Sequence, residues 1–228
     1  MTISVIIPAY NSEKRIGNLI SKLKNVQLGE CECEIIVVND ASKDSTLKIL
    51  KKISNITLIN HTKNTGKGGA VASGLAKSKG DILFILDDDL EYDPNDIPKI
   101  IRPILQKKTE VSYGSRRLNK KNAYASATYY WGGVALDSII SMIIRYPLTD
   151  AITGSKAFTR NVYNRITPIE TKGFEVEAEI TVKIIKAGYK IVEVPISYKP
   201  RSHAEGKNIR WSDGFPMLKT LIRFSFFY

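Results

Sequence analysis

Short apolar runs alternate with segments of helical periodicity in the first part of the chain, and this alternation constrains the fold more than any other feature. The runs are rich in Val, Ile and Leu and occupy residues 3–8, 34–38, 56–59 and 82–86. Between the first two runs, apolar residues recur at the spacing of one helix face. A repeated strand–helix–strand order predicts a mostly parallel sheet flanked by helices on both faces. Ligands of such sheets bind beyond the carboxyl ends of the strands.

The second half of the chain is less regular but contains elements of both kinds. We predict strands over residues 111–114 and 191–194, and helices over residues 136–144, 174–187 and 211–227. No low-complexity linker divides the chain. We therefore assign residues 1–210 to a single domain. Residues 211–228 are assigned to a C-terminal amphipathic helix, which we expect to be the membrane-proximal segment.

The chain is strongly basic, with 34 Lys and Arg against 23 Asp and Glu, a net charge of +11. A field of this sign attracts nucleic acid, anionic membranes or phosphate-bearing substrates. Cys31 and Cys33 are one residue apart, a spacing that predicts reduced thiols. The chain shows no signal-peptide pattern and no run of about 20 apolar residues. We therefore expect a cytoplasmic protein whose membrane contact is peripheral.

Asp87, Asp88 and Asp89 follow the apolar run 82–86 directly. Adjacent carboxylates raise each other's pKa unless a cation meets them, and a hard divalent cation with oxygen ligands does so. In an extended segment Asp87 and Asp89 point to one face, Asp88 points away, and Glu91 continues the first face. The alternative interpretation is a solvated acidic turn. The position after a buried parallel strand favours a metal site built on Asp87 and Asp89.

Other polar residues also lie where loops of the predicted sheet would meet a ligand. The glycine-rich segment 64–69, which contains Lys67, is either a phosphate cradle or a tight turn, since it lacks the P-loop pattern. Asp40 ends a strand, where it is either a hydrogen-bonding partner of a ribose or a base, or a residue without a ligand role. The basic candidates for phosphate binding are Arg116, Arg117, Arg201 and Lys207. The alternative interpretation of each is an ordinary solvated surface charge. His61 and His203 are interpreted as surface residues.

Taken together, these segments resemble family-2 glycosyltransferases of the dolichyl-phosphate mannose synthase type over nearly the whole chain. The matching elements are residues 5–11, 38–46, 64–70, 87–94, 114–116, 149–156 and 193–196, followed by Arg201 and residues 205–207. Each element is weak alone, but their order and spacing together are specific. The resemblance implies a Rossmann-like, nucleotide-sugar-binding fold of the glycosyltransferase A type, with residues 1–210 as its catalytic domain.

The resemblance also implies roles for individual residues around a GDP- or UDP-linked sugar. The nucleotide-sugar-binding set would be Pro8, Tyr10, Glu13, Asp40, Lys67, Asp87 and Asp88. A Mg²⁺ or Mn²⁺ ion would be held by Asp87, Asp89 and Glu91. The catalytic set would be Asp89, Asp150 and Arg116, with Asp150 either a base or a group that orients the sugar. The acceptor phosphate would be bound by Arg116, Arg117, Arg201 and Lys207.

The implied reaction is inverting transfer of a hexose, mannose or glucose, to a polyprenyl phosphate of the dolichyl type. Many relatives carry C-terminal transmembrane helices, and the family often has a Gly-Asn pair where this chain has residues 131–133. Without those features, membrane access would rest on the basic surface, on residues 211–228 or on a membrane-anchored partner protein. One alternative is transfer to a polysaccharide or glycan. A second, suggested by charge alone, is a nucleic-acid-binding module, which we disfavour because the chain lacks nucleic-acid motifs.

Overall fold

A computed structural model describes residues 1–122, 127–200 and 214–226, with a seven-stranded sheet at the centre. The strands are β1 (Thr2–Ala9), β2 (Glu32–Asn39), β3 (Thr57–Asn60), β4 (Ile82–Leu86), β5 (Val111–Ser115), β6 (Ser155–Thr159) and β7 (Ile191–Pro195). The helices are α1 (Ile16–Lys24), α2 (Thr46–Leu50), α3 (Gly66–Lys77), α4 (Ile97–Leu105), α5 (Ala127–Ile144), α6 (Arg160–Ile166), α7 (Val176–Lys186) and α8 (Gly214–Phe226). The strand order is β3-β2-β1-β4-β6-β5-β7. The predicted mostly parallel sheet with flanking helices is confirmed.

The first four strands are parallel neighbours, as the alternation of strand and helix predicts. In the register of β1, Ile6 lies opposite Ile36 of β2 and Ile85 of β4. All three side chains are fully buried. Helices cover both faces of the sheet, which explains why these strands are continuous apolar runs rather than alternating ones.

The sheet also contains a strand that the sequence analysis missed. β6 runs antiparallel between β4 and β5, so it separates two strands that are close in sequence. Its sequence is Ser-Lys-Ala-Phe-Thr, and Lys156 within it is completely buried. A lysine at a buried strand position breaks the apolar pattern, which is why periodicity did not identify the strand.

Two apolar cores lie on the two faces of the sheet. The core on one face includes the buried sides of α1 and α4, and the core on the other includes those of α3, α5, α6 and α7. Met217, Leu221 and Phe224 of α8 are buried in the second core. The apolar side of the C-terminal helix therefore packs into the domain, and its predicted place near a membrane stays a prediction. In the described ranges, no helix has the length and apolar character that crossing a bilayer requires.

Candidate active site

The acidic segment after β4 contacts the loop after β1 through Asp88. One carboxylate oxygen of Asp88 accepts the backbone N–H of Tyr10 at 3.3 Å, and the hydroxyl of Ser12 donates to the same oxygen. Asp88 therefore holds the two loops together, whereas Asp87 pairs with Lys67. Its predicted contact with the nucleotide sugar stays a prediction.

Asp87 lies at one end of a chain of alternating charges. The ammonium of Lys67 is 2.6 Å from Asp87 Oδ1 and 2.8 Å from Glu177 Oε1. Glu177 in turn accepts from Lys156, which also donates to the carbonyl oxygen of Thr153 at 2.9 Å. Burial acts to raise the pKa of Glu177, but the charges of Lys156 and Lys67 outweigh it and lower that pKa. Lys67 thus tethers Asp87 to α7. Its predicted contact with the nucleotide sugar stays a prediction.

The backbone after Asp87 is a turn and not an extended strand. Asp88 and Asp89 occupy turn positions, and Leu90 has a φ of +60°. Oδ1 of Asp89 accepts the N–H of Glu91 at 3.0 Å, which fixes that carboxylate. The alternation that predicted a common face for Asp87, Asp89 and Glu91 therefore does not apply. The carboxylate of Glu91 accepts the hydroxyl of Tyr198 at 2.8 Å.

Two carboxylates of the acidic segment, Asp87 and Asp89, are chemically suited to a divalent cation whose other ligands come from a bound substrate and water. In the described parts of the chain, no group of three His, Cys, Asp or Glu side chains could hold a metal ion by itself. Glu91 is thus not brought into a three-carboxylate set with Asp87 and Asp89. Mg²⁺ is commonly bound through one or two carboxylates plus substrate phosphates and water, and Asp87 and Asp89 suit that pattern.

Arg116 follows β5 and is held by Asp150 through three hydrogen bonds. The backbone N–H, Nε and Nη2 of Arg116 donate to the carboxylate at 2.9, 2.7 and 2.6 Å. Burial acts to raise the pKa of Asp150, but the charge and hydrogen bonds of Arg116 outweigh it and lower that pKa. An ionised carboxylate with both oxygens engaged is suited to positioning Arg116. This geometry does not favour Asp150 as a general base.

Two tyrosines line the Arg116 guanidinium and connect it to the acidic segment. The guanidinium carbon lies 5.9 Å from the ring centroid of Tyr92 and 5.3 Å from that of Tyr198. Tyr198 is also the residue that donates to Glu91. The predicted catalytic Arg116 and the predicted metal-binding segment therefore share one edge of the sheet. Arginine over an aromatic face is stabilised by the cation–π interaction.

Arg117, the next residue, faces α5 and pairs with Asp137 of that helix. Its guanidinium also packs on the ring of Tyr130, 5.9 Å from the centroid. Burial and the nearby charge of Asp150 raise the pKa of Asp137 to about 7, although Arg117 acts in the opposite direction. Arg117 thus joins α5 to the site. Its predicted role at the acceptor phosphate stays a prediction.

Asp40 at the end of β2 is engaged by donors of the chain itself. Its carboxylate accepts the N–H of Thr65 at 2.9 Å, the N–H of Gly66 at 2.8 Å and Nδ1 of His61 at 2.7 Å. Burial acts to raise the pKa of Asp40, but these bonds lower it. His61 is therefore a bonded residue of this loop and not the surface residue expected from sequence. Contact between Asp40 and a nucleoside stays a prediction.

The other predicted donor-side residues lie beside Asp40 at the same edge. Tyr10 is 43% exposed, so its ring is accessible to a base. Pro8 is buried within β1. Glu13 accepts the N–H of Ser45 at 2.9 Å, just before α2. Arg201, Lys207 and His203 lie outside the described residues.

Several residues that shape the site had no role predicted from sequence. The signal for them is a polar, charged or aromatic side chain in contact with a site residue, and it is visible only in the fold. Glu193 accepts the N–H groups of Thr149 and Asp150 at 2.8 and 2.9 Å and so holds the loop that carries Asp150. The others are Lys156, Glu177, Tyr92 and Tyr198.

The glycine-rich segment 64–69 is explained by close packing of the chain on itself. Lys172 O accepts the N–H of Gly68 at 2.7 Å. A Cβ on Gly66 would lie 2.3 Å from Lys172 O, and one on Gly68 would lie 2.2 Å from Thr171 O. The N-terminal N–H groups of α3 at Gly66 and Gly68 are therefore used by Asp40 and Lys172. This supports the tight-turn interpretation over the phosphate cradle.

We expect Gly68→Ala to lower the free energy of unfolding by about 1–3 kcal/mol, because the added methyl overlaps backbone that cannot move aside freely. Gly17→Ala is the matched control, since its Cβ would meet Ile49 at an ordinary 3.7 Å. Urea denaturation of both variants measures the difference. Equal stability of the two variants would contradict the packing explanation.

The sequence from residue 4 to residue 167 matches the family model described as Glycosyl transferase family 2. The chain belongs to this family. The glycosyltransferase is 33% identical over 230 aligned residues to the UDP-N-acetylglucosamine–dolichyl-phosphate N-acetylglucosaminyltransferase of Methanococcus voltae, covering 91% of this chain and 90% of that protein. It is 31% identical to the dolichol-phosphate mannosyltransferase of Pyrococcus furiosus, covering 91% of this chain and 59% of that protein.

The fold of the glycosyltransferase also matches solved structures. Glucosyl-3-phosphoglycerate synthase from Mycobacterium tuberculosis, in complex with Mn²⁺, UDP and glucosyl-3-phosphoglycerate, superposes with a TM-score of 0.74 at 20% identity, covering 98% of this chain and 80% of that chain. At this identity the likeness concerns the fold. The glycosyltransferase A type predicted from sequence is confirmed.

Proposed function

We propose that this glycosyltransferase moves a hexose from a GDP- or UDP-linked sugar to a polyprenyl phosphate of the dolichyl type, with inversion at the anomeric carbon. The observation that carries the proposal is the placement of Arg116 beside the acidic segment, joined to it by Tyr198. One edge of the sheet thus offers carboxylates for a metal and a guanidinium for a phosphate. The relatives named for dolichyl- or dolichol-phosphate acceptors support the acceptor class.

On the donor side, Asp87 and Asp89 would hold Mg²⁺ or Mn²⁺ together with the donor diphosphate. When bound, the metal stabilises the negative charge that develops on the leaving nucleoside diphosphate. Lys67, which is itself held by Glu177, fixes the carboxylate of Asp87, and the N–H of Glu91 fixes that of Asp89. The exposed ring of Tyr10 would stack on the base.

On the acceptor side, the chemistry needs binding and orientation more than proton transfer. A phosphate monoester has a second pKa near 6 and is mostly dianionic at neutral pH. One of its oxygens forms the new bond to the anomeric carbon while the bond from that carbon to the diphosphate oxygen breaks. No proton has to be removed from the nucleophile, so Asp150 serves by holding Arg116 against the acceptor phosphate. Arg117, Arg201 and Lys207 would add positive charge there.

The proposal accounts for the basic character of the chain without nucleic acid. The net charge of +11 favours phosphate-bearing substrates and an anionic bilayer surface. We place the enzyme at the cytoplasmic face of a membrane, in peripheral contact or with a membrane-anchored partner.

A transfer assay tests the function directly. The full chain is incubated in detergent with a polyprenyl phosphate and, in turn, the UDP- and GDP-linked forms of labelled glucose, mannose and N-acetylglucosamine. We expect label in the lipid fraction with one donor, loss of transfer on chelation with EDTA, and recovery with Mn²⁺ or Mg²⁺. Transfer only to a soluble glycan or polysaccharide would contradict the proposed acceptor.

A further inference from the structure

Helix α5 presents an exposed face without charge. Trp131 is 66% exposed, Ile139 40% and Met142 73%. Ala135 and Ser138 are exposed between them, at the spacing of one helical face. We call Trp131, Ala135, Ser138, Ile139 and Met142 the α5 stripe. Between Trp131 and Met142 it is about 17 Å long at 1.5 Å per residue.

The α5 stripe differs from the outward face of an ordinary surface helix, which is polar or charged. Asp137 is the one acidic or basic residue between residues 127 and 144, and it is buried and paired with Arg117. The opposite side of the helix, with Ile140 fully buried, packs into the core. An exposed surface that is uncharged and mostly apolar is typical of a site of interaction with a partner.

The residues around the α5 stripe favour a lipid surface as that partner. Trp131 stands near one end, and tryptophan prefers the boundary between headgroups and acyl chains. Exposed basic residues flank the helix in sequence, with Lys120 and Lys121 before it and Arg145 after it. An uncharged helix face flanked in sequence by exposed basic residues, on a chain of net charge +11, is complementary to an anionic bilayer.

The helix is attached to the residues that the proposed function places at the acceptor. Arg117 pairs with Asp137, and a Cβ on Gly133 would lie 2.7 Å from Arg117 Nη2, so α5 packs directly on this guanidinium. Arg116 is the adjacent residue. Seating α5 in the headgroup region would therefore bring Arg116 and Arg117 to the level at which a lipid phosphate lies.

We propose that the α5 stripe is the membrane-binding surface of the enzyme and that its partner is the interfacial region of an anionic phospholipid bilayer. The purpose of this contact rests on the proposed lipid-phosphate acceptor. The contact itself is independent of catalysis and is measured without donor or acceptor.

Flotation with vesicles tests the proposal. The full chain is mixed with phosphatidylcholine vesicles with or without phosphatidylglycerol, and compared with the triple variant Trp131→Gln, Ile139→Gln, Met142→Gln. The control is Leu105→Gln, an exposed apolar residue, 38% accessible, on α4 at the opposite face of the sheet. We expect the parent and the control to float with the anionic vesicles and the triple variant to partition at least tenfold more weakly. The variant residues are exposed, and circular dichroism and the unfolding midpoint verify that the fold is kept.

Three outcomes would overturn the proposal. The parent could fail to float, or the triple variant could float as well as the parent, which would place the contact elsewhere. Alternatively, sedimentation velocity could show a dimer that the triple variant converts to a monomer, which would make the stripe an interface between two copies. A lack of sugar transfer to polyprenyl phosphate in detergent, with flotation as expected, would instead overturn the proposed function alone.

A second measurement links the surface to the substrate. In detergent, the triple variant is expected to transfer sugar to a short-chain polyprenyl phosphate at the parental rate. With a long-chain acceptor embedded in anionic vesicles, its rate is expected to fall about as far as its partitioning. Equal rates of parent and variant on vesicles would contradict a membrane-binding role for the stripe.

Discussion

Replacing Asp89 with alanine is expected to lower sugar transfer by at least on the order of 10²-fold, the scale of losing one preorganised electrostatic group in an active site. Asp89 lies in the turn after β4, and the N–H of Glu91 fixes its carboxylate at 3.0 Å. Its removal leaves Asp87 as the remaining carboxylate proposed to contact the metal. A nucleotide diphosphate with Mn²⁺ should therefore raise the unfolding temperature of Asp89→Ala less than that of the parent.

Asp81→Ala is the matched control for Asp89→Ala, because Asp81 lies at the amino end of the same strand. Its carboxylate accepts the N–H of Thr2 at 2.8 Å at an exposed position. We expect near-parental transfer from this control. Parental transfer by a well-folded Asp89→Ala variant would exclude Asp89 from the catalytic set.

Replacing Asp150 with asparagine is expected to lower the free energy of unfolding by about 3–5 kcal/mol, the scale of breaking a buried ion pair, and to reduce transfer. The substitution removes the negative charge that holds Arg116 through Nε and Nη2. The folded-state pKa of Asp150 is lowered from 3.8. Its stabilising contribution is therefore present above that ordinary value and is lost as pH falls through the folded-state value. The stability difference between the parent and the variant should be largest at neutral pH and shrink below about pH 4.

Asp96→Asn is the matched control for Asp150→Asn, since Asp96 is also buried but its ion pair is with the exposed Lys99. The other carboxylate oxygen of Asp96 accepts the N–H of Ser197 at 2.6 Å, a bond that the amide oxygen of asparagine can also accept. The control is expected to lose less stability than Asp150→Asn, because the partner that it leaves without a counter-charge, Lys99, is exposed to water. A double variant, Arg116→Met with Asp150→Asn, should regain part of the lost stability but not the transfer, because no buried charge is left unpaired. If Asp150→Asn keeps parental stability and changes only the pH profile of transfer, Asp150 acts as a base.

The strands of the first half could be predicted closely because each is a continuous run of apolar residues, which is typical of a buried strand. β4 has the predicted bounds, and β1 differs by one residue at each end. β6 could not be predicted, because its buried Lys156 is compatible with the sheet only when Glu177 of α7 lies beside it. That contact joins residues 21 positions apart and leaves no local periodicity.

The candidate site, like the fold, could be predicted only in part. The position of the acidic segment and of Arg116 at the strand ends followed from sequence, since the carboxyl ends of parallel strands share one edge. The residues that bond to these side chains could not be predicted, because each bond is a tertiary contact. The glycine-rich segment gave no sign that Lys67 pairs with Asp87 and Glu177. The contact of Asp88 with the loop after β1 could not be predicted either.

The sequence by itself determined the sheet, its loops and the kinds of chemical group that those loops carry, because strand and helix periodicity act over a few neighbouring residues. The tertiary structure alone decided which charges are paired, which glycines make room for backbone, and which face of α5 is left uncovered. These features depend on residues distant in the chain. A charge that is buried without a partner costs free energy, and an apolar face that stays exposed indicates a site of interaction. Both depend on which residues are buried, and burial is defined only once the chain has folded.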